Sequence, residues 1–90
     1  MTERSLQITY RNGRPFAAYL YLSHSTGKKS VKTEASSDGL LVVDFAVDGQ
    51  PIGVEITAPE AVTLERLNLL LEQLGQRPLP EEEFRPLTVA

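Results

Sequence analysis

One stretch in the middle of the chain decides the fold: Gly39-Leu40-Leu41-Val42-Val43-Asp44-Phe45-Ala46-Val47-Asp48-Gly49-Gln50-Pro51-Ile52-Gly53-Val54-Glu55-Ile56. Apolar side chains alternate on both sides of Asp48-Gly49, which is the pattern of two half-buried strands joined by a tight turn. A two-residue turn there pairs Phe45 with Ile52, Val43 with Val54 and Leu41 with Ile56, and places Val47 on the same face. Turn chemistry and burial agree, so the stretch predicts a β-hairpin with one apolar face.

A second hairpin is predicted nearer the start of the chain, where residues 5–10 alternate between polar and apolar and a strand over 16–22 follows. Asn12-Gly13 favours a two-residue turn, but that register would divide the apolar side chains between two faces. A one-residue shift opposes Ile8 to Ala18 and collects them on one face. Because burial should dominate, we expect a widened or bulged turn over residues 11–15.

Two further elements complete the expected fold. Residues 29–34 form a short edge strand in this prediction, with Val31 and Thr33 facing inward. A helix is predicted to begin after Thr63 and to end at Gly75, because the first residue type caps helix starts and the second terminates helices. The alternative is that the helix starts at Pro59, since proline is favoured at the first helical position. Its expected sheet-covering stripe consists of leucines: Leu64, Leu67, Leu70, Leu71 and Leu74.

The predicted fold class is therefore α+β, an antiparallel β-sheet of four to five strands with one C-terminal α-helix packed on one face. We expect a single domain over residues 1–76, since 90 residues are too few for two stable cores. Residues 77–90, called the tail below, contain several prolines and are expected to be extended. Phe84 and Leu87 are candidate anchors that dock the tail on this chain or on a neighbouring subunit.

Composition excludes several classes of protein. The chain has no cysteine, which excludes disulfide frameworks and thiolate chemistry, and its single histidine argues against a zinc site built from protein ligands. No apolar run approaches the roughly 20 residues of a membrane span. The first residues do not form a basic-then-apolar leader, so we expect a cytoplasmic protein. No cofactor is expected.

Charge is distributed unevenly along the chain. Residues 1–33 carry six basic and one acidic side chain, whereas residues 34–90 carry three basic and eleven acidic ones. Such a chain can attract its own copies or an oppositely charged partner, unless the two halves interleave once folded. A sequence pI near 5.0 argues against nucleic-acid binding, because most nucleic-acid-binding modules are basic.

Apolar side chains on the outer face of the predicted sheet point to self-association. An exposed apolar face of this kind is typical of an interaction surface, so we expect a homodimeric interaction module rather than an enzyme. The candidate interface residues are Tyr19, Tyr21, Leu40 and Val42 on the sheet, Leu69 on the helix, and Phe84 and Leu87 in the tail.

A polar alternative rests on two acidic residues of the outer face. In the predicted register Asp44 and Glu55 are diagonal neighbours, about 7–8 Å apart at Cα. That separation suits paired acid–base catalysis or cation binding, and hence a small hydrolase or cation-binding protein, with His24 as a further candidate residue. Alternatively, each carboxylate only accepts hydrogen bonds or meets a basic side chain, and His24 is an ordinary loop residue.

The central hairpin also resembles a bacterial family called domain of unknown function 2283. Members of that family pair a tyrosine-rich strand with a hairpin of the form hydrophobic–Asp–x–Asp–x–Asp–Gly–x–x–x–Gly–Ile–Glu–Ile. The residues that match are Asp44, Asp48, Gly49, Gly53, Glu55 and Ile56, whereas Ala46 replaces the middle acid and Val54 replaces an isoleucine. The resemblance implies a small α+β fold without an assigned activity, and permits an antitoxin-like role in which the acidic helix and tail bind a basic protein.

Overall fold

One five-stranded antiparallel sheet organises the chain, which a computed structural model describes for residues 4–22 and 29–88. In chain order the strands are β1 (Ser5–Arg11), β2 (Arg14–Tyr21), β3 (Lys32–Ala35), β4 (Leu41–Phe45) and β5 (Pro51–Ile56). The sheet order is β1-β2-β5-β4-β3, so the two predicted hairpins lie side by side and join through β2 and β5. The α+β class is confirmed, and the third strand lies at an edge as predicted.

The predicted helix, α1 (Leu64–Gln73), follows a short 3-10 turn at Pro59–Ala61. The Thr63 hydroxyl accepts a hydrogen bond from the Arg66 backbone N–H at 3.1 Å, which satisfies one of the free donors at the helix start. At the other end, the Gly75 N–H donates to the Glu72 carbonyl and the Gln76 N–H donates to the Leu71 carbonyl. Both predicted ends of the helix are therefore confirmed.

The leucine stripe of α1 covers one face of the sheet. Leu67 and Leu71 are fully buried, and the other three leucines of the stripe are half-buried against the same core. Beneath them, the pairs Leu41–Ile56 and Val43–Val54 have the predicted register. The core lies between this face of the sheet and the helix, and the opposite face of the sheet stays outside it.

The tail docks on the same chain. A short helix, α2 (Glu81–Phe84), and a 3-10 turn at Arg85–Leu87 bury Leu79, Phe84 and Leu87 in the core. The Asn68 side chain holds the start of this segment: its Oδ1 accepts from the Leu79 N–H at 2.7 Å, and its Nδ2 donates to the Leu79 carbonyl at 3.2 Å. Phe84 and Leu87 thus anchor the tail within the molecule, and their burial leaves them unavailable to a second subunit.

The β1–β2 hairpin has the predicted register but a different irregularity. Leu6 opposes Leu20 and Ile8 opposes Ala18, as the burial argument requires. The turn itself is tight, however, because Arg11 directly opposes Arg14. A bulge at Phe16 supplies the extra residue within β2, so turn chemistry and burial are satisfied together.

Two other local predictions were wrong. The end of β4 shifts register after Asp44, and the Gly49 N–H donates to the Ala46 carbonyl at 2.9 Å, which closes a three-residue loop instead of a two-residue turn. Ala46 is consequently buried, and Val47 is 87% exposed. Strand β3 begins three residues later than predicted, and Val31 precedes it and is 60% exposed. Thr33, which was predicted to face inward, opposes Asp44 and therefore points away from the core, while Glu34 opposes Val43.

Candidate interaction surface

The face of the sheet opposite α1 is defined by the strand register, since directly opposed residues point to the same side. We call this surface the open face. Its residues are Ser5, Gln7 and Thr9 of β1, Ala17, Tyr19 and Tyr21 of β2, Gly53 and Glu55 of β5, Val42 and Asp44 of β4, and Thr33 and Ala35 of β3. The predicted placement of Tyr19, Tyr21 and Val42 on this face is confirmed.

Tyr19 organises the centre of the open face. Its ring starts on β2 and crosses β5 over Gly53, where a β-carbon would overlap the ring atoms. The Tyr19 hydroxyl then donates a hydrogen bond of 2.6 Å to the Asp44 carboxylate on β4. One side chain therefore spans three strands, and the missing side chain of Gly53 makes the crossing possible.

This arrangement favours the protonated form of Tyr19. Burial raises the pKa of the Tyr19 hydroxyl well above its ordinary value of 10.0, and the hydrogen bond and negative charge of Asp44 raise it further. The Tyr21 and Glu55 side chains add smaller electrostatic contributions of the same sign. Tyr19 consequently acts as a hydrogen-bond donor at neutral pH and is poorly suited to accept a proton.

Two aromatic rings and a valine give the open face an apolar character. The Tyr19 and Tyr21 rings lie edge to face with centroids 4.6 Å apart. Tyr21 is 39% exposed, and Val42 is half-buried. Leu40, which was predicted to contribute to this face, is half-buried and packs against the core. The apolar part of the surface therefore centres on the tyrosine pair.

The remaining predicted interface residue, Leu69, lies elsewhere. It is 53% exposed on α1, whereas the open face belongs to the other side of the sheet. Leu69 and the tyrosine pair thus lie on separate surfaces. The predicted interface residues therefore do not form one continuous surface that a single partner could cover.

The two acidic candidates have different surroundings. Asp44 opposes Gly53 and Glu55 opposes Val42, so the predicted diagonal arrangement is confirmed. Asp44 is half-buried and accepts the Tyr19 hydrogen bond, whereas Glu55 is exposed. Within residues 4–22 and 29–88, no cluster of three or more histidine or acidic side chains is placed to hold a metal ion. His24 lies outside the described residues.

Sequence reasoning identified Asp44 and both tyrosines but missed Gly53 as a determinant of the surface. A glycine inside a strand often marks the close approach of another group, and Gly53 follows that pattern. The approaching group could not be named, because it comes from β2, which pairs with β5 across more than 30 residues of intervening chain. Gly53 alone therefore indicated that another group comes close to β5, whereas identifying that group as Tyr19 requires knowing that β2 pairs with β5.

Comparison with protein-family models, curated proteins and solved structures finds no match for this chain. The resemblance of its central hairpin to the family called domain of unknown function 2283 therefore stays a prediction. None of the described helices is long and apolar enough to cross a membrane.

Proposed function

We propose that the chain is a small homodimeric interaction module that binds a second copy of itself through the open face. The observation that carries the proposal is the one-sided covering of the sheet: α1 and the tail both pack on the face opposite the tyrosine pair. In line with the bacterial family that its hairpin resembles, we place the module in the cytoplasm of a bacterium.

The chemistry of the open face suits contact with a protein. Tyrosine buries a large apolar ring with little loss of side-chain entropy, and its hydroxyl tolerates both a wet and a dry environment. The hydrogen bond to Asp44 and the contact with Gly53 hold the Tyr19 ring in place before any partner arrives. Such preorganisation lowers the entropy lost on binding. A two-fold dimer would bring the same surface from both subunits together.

The oligomeric state tests the proposal directly. Light scattering coupled to gel filtration, together with sedimentation velocity at low micromolar concentration, should give twice the chain mass of 9.9 kDa. Tyr21→Arg places a charge on the open face and should shift the protein to the monomer. Leu69→Arg is the matched control, because Leu69 is similarly exposed and apolar but lies on α1.

Three results would count against a dimer formed through the open face. The first is a monomer at all concentrations up to about 100 μM, well above the working range of a specific dimer. The second is a dimer that Tyr21→Arg leaves intact. The third is a dimer that Leu69→Arg dissociates, because the interface would then include α1.

A second candidate function, binding of a basic protein, is favoured by the charge of the open face. Over residues 17–21, 42–44 and 53–55 this face carries the carboxylates of Asp44 and Glu55 and no lysine or arginine, and the pair Arg11 and Arg14 lies further along, at the turn end of the β1–β2 hairpin. A basic partner bound at this face, rather than at the helix and tail of the antitoxin-like prediction, would bind more weakly as salt is raised, since charge attraction is screened. Pull-down of proteins from a bacterial host at low and high salt, with Glu55→Gln as the variant, separates this function from self-association. A salt-resistant homodimer without other bound proteins would contradict it.

A further inference from the structure

A cleft of about 600 Å³ lies at the turn end of the β1–β2 hairpin, away from the tyrosine pair. One wall comes from the hairpin and the other from the segment that follows β5. We call it the hairpin cleft; the side chains that matter for its chemistry are Arg11, Arg14 and Phe16 on the hairpin, and Thr57, Pro59 and Glu60 on the following segment.

Two arginines meet at the cleft, and neither forms an ion pair with a carboxylate of the described residues. Arg11 and Arg14 are direct cross-strand partners on either side of the tight Asn12-Gly13 turn. Like charges in directly opposed positions destabilise a hairpin. The ion pairs among the described residues are Lys32–Glu34 and Arg66–Asp38, so neither cleft arginine is neutralised by a carboxylate there. An anion between the two guanidinium groups would relieve this repulsion.

An aromatic ring lies beside the two cations. The Arg11 guanidinium carbon is 4.6 Å from the centroid of the Phe16 ring, so the guanidinium stacks on the ring and is restricted in its motion. Phe16 is the bulged residue of β2, and its ring is 51% exposed. Bulges commonly redirect a side chain next to a functional site. Here the bulge places an apolar surface next to a held cation.

The rest of the lining narrows the class of ligand. Pro15 and Pro59 contribute buried apolar surface, whereas the Thr57 hydroxyl donates to the Gly39 carbonyl at 2.8 Å and is not counted as a donor to the ligand. Glu60 also lines the cleft, so its carboxylate leaves the site with a modest net positive charge. The volume falls within the range of small-molecule sites. We propose that the hairpin cleft binds a small organic anion, a carboxylate or phosphate group carried on an apolar ring.

Titration of the complete chain with simple probes tests this proposal. Phenyl phosphate and benzoate supply the two anionic groups on the same ring, inorganic phosphate lacks the ring, and benzyl alcohol lacks the charge. We expect saturable amide chemical-shift changes at residues 11–16 and 57–60 with phenyl phosphate or benzoate, and the tighter of the two identifies the anionic group. Inorganic phosphate should bind more weakly, and benzyl alcohol should not saturate. Absence of saturable change with both ring-bearing anions up to 10 mM would overturn the proposal.

Charge-matched variants separate the site from general attraction to a basic surface. Arg11→Gln combined with Arg14→Gln should weaken binding by about tenfold or more, because charge-assisted hydrogen bonds to both arginines are lost. Lys29→Gln combined with Arg85→Gln removes the same charge from exposed positions away from the cleft and should change affinity by less than about twofold. Equal weakening in the two double variants would refute a specific site.

A single substitution at Phe16 tests the ring contribution independently of charge. Phe16→Ser should reduce the affinity for phenyl phosphate to that for inorganic phosphate, since both guanidinium groups remain while the aromatic surface is gone. Dispersed amide spectra identify the variants that keep their fold. An unchanged preference for the ring-bearing anion in a folded Phe16→Ser variant would contradict the proposed role of the ring.

Discussion

Gly53→Ala should destabilise the protein when Tyr19 is present and stabilise it when Tyr19 is replaced by alanine. The backbone at Gly53 is extended and buried, so the new methyl group finds no conformational obstacle in its own residue. The three atoms nearest to an added β-carbon all belong to the Tyr19 side chain. The ring must therefore move away, and its hydrogen bond to Asp44 breaks.

The size of the effect follows from the contacts that change. A hydrogen bond to a charged acceptor contributes about 1.5–3 kcal/mol, and the lower end applies because Tyr19 is half-buried. The displaced ring also loses its packing over β5. Replacing glycine by alanine in a strand by itself stabilises the folded state by about 0.5–1 kcal/mol. Gly53→Ala should therefore destabilise the protein by about 1–2 kcal/mol. For a chain of this length that loss lowers the melting temperature by roughly 5–15 °C.

In a Tyr19→Ala background the obstacle is gone, and only the gain from alanine remains. Gly53→Ala should then stabilise the protein by about 0.5–1 kcal/mol relative to that background. Urea unfolding followed by far-UV circular dichroism gives the four free energies of the double-mutant cycle, with coupling of about 1.5–3 kcal/mol expected. If Gly53→Ala destabilises both backgrounds equally, the ring does not cross β5 at Gly53 and the described centre of the open face is incorrect.

Three further predictions address the tail, the tyrosine and the hairpin end. Asn68→Ala leaves the Leu79 N–H and carbonyl without their partners, so we expect a loss of about 1–3 kcal/mol and faster amide exchange in residues 79–88. Because the Tyr19 pKa is raised by folding, its contribution to stability should be complete below pH 10 and decline as pH rises further, as measured by urea unfolding from pH 7 to 11. Arg14→Glu converts the like-charged pair with Arg11 into an attractive one and should stabilise the protein by about 0.2–1 kcal/mol in low salt.

Each of these predictions has a matched control. Gln73→Ala, at an exposed position of the same helix, should leave tail exchange unchanged. Tyr19→Phe should remove most of the decline in stability above pH 10, whereas Tyr10→Phe, at a 55% exposed position, should preserve it. Arg85→Glu, at an exposed position away from the hairpin, should not reproduce the gain of Arg14→Glu. Slow exchange in Asn68→Ala, an unaltered pH profile in Tyr19→Phe, or a loss of stability in Arg14→Glu would each contradict its argument.

The elements that the sequence predicts well are those whose signals are local and agree with one another. Alternating apolar residues and turn residues both specify the β4–β5 hairpin, and its central pair, Val43 with Val54, has the predicted partners. A leucine stripe between Thr63 and Gly75 specifies α1 in the same way. Where two local signals disagreed, as around Asn12-Gly13, the prediction chose burial over turn chemistry. The bulge at Phe16 satisfies both.

Contacts between distant parts of the chain were harder to predict. The diagonal relation of Asp44 and Glu55 follows from one hairpin and was predictable, but the Tyr19–Asp44 hydrogen bond requires β2 to pair with β5. The two hairpins could also have paired through strands other than β2 and β5. The alternation of apolar residues within a strand does not show which strands of the two hairpins pair. The docking of the tail likewise depends on Asn68, whose amide pairs with backbone 11 residues away.

The Tyr19–Asp44 hydrogen bond also bears on the choice between the two proposed functions. It occupies the Asp44 carboxylate, so Glu55 is the acidic side chain of the open face that is exposed and outside this bond. An exposed ion pair with one carboxylate contributes about 0–1 kcal/mol, which is too little to select a basic partner. Burial of the exposed part of the tyrosine pair and of Val42 removes apolar area from water at about 25 cal/mol per Å², on both subunits of a two-fold dimer. Apolar contact therefore outweighs charge on this surface, and self-association remains the stronger proposal.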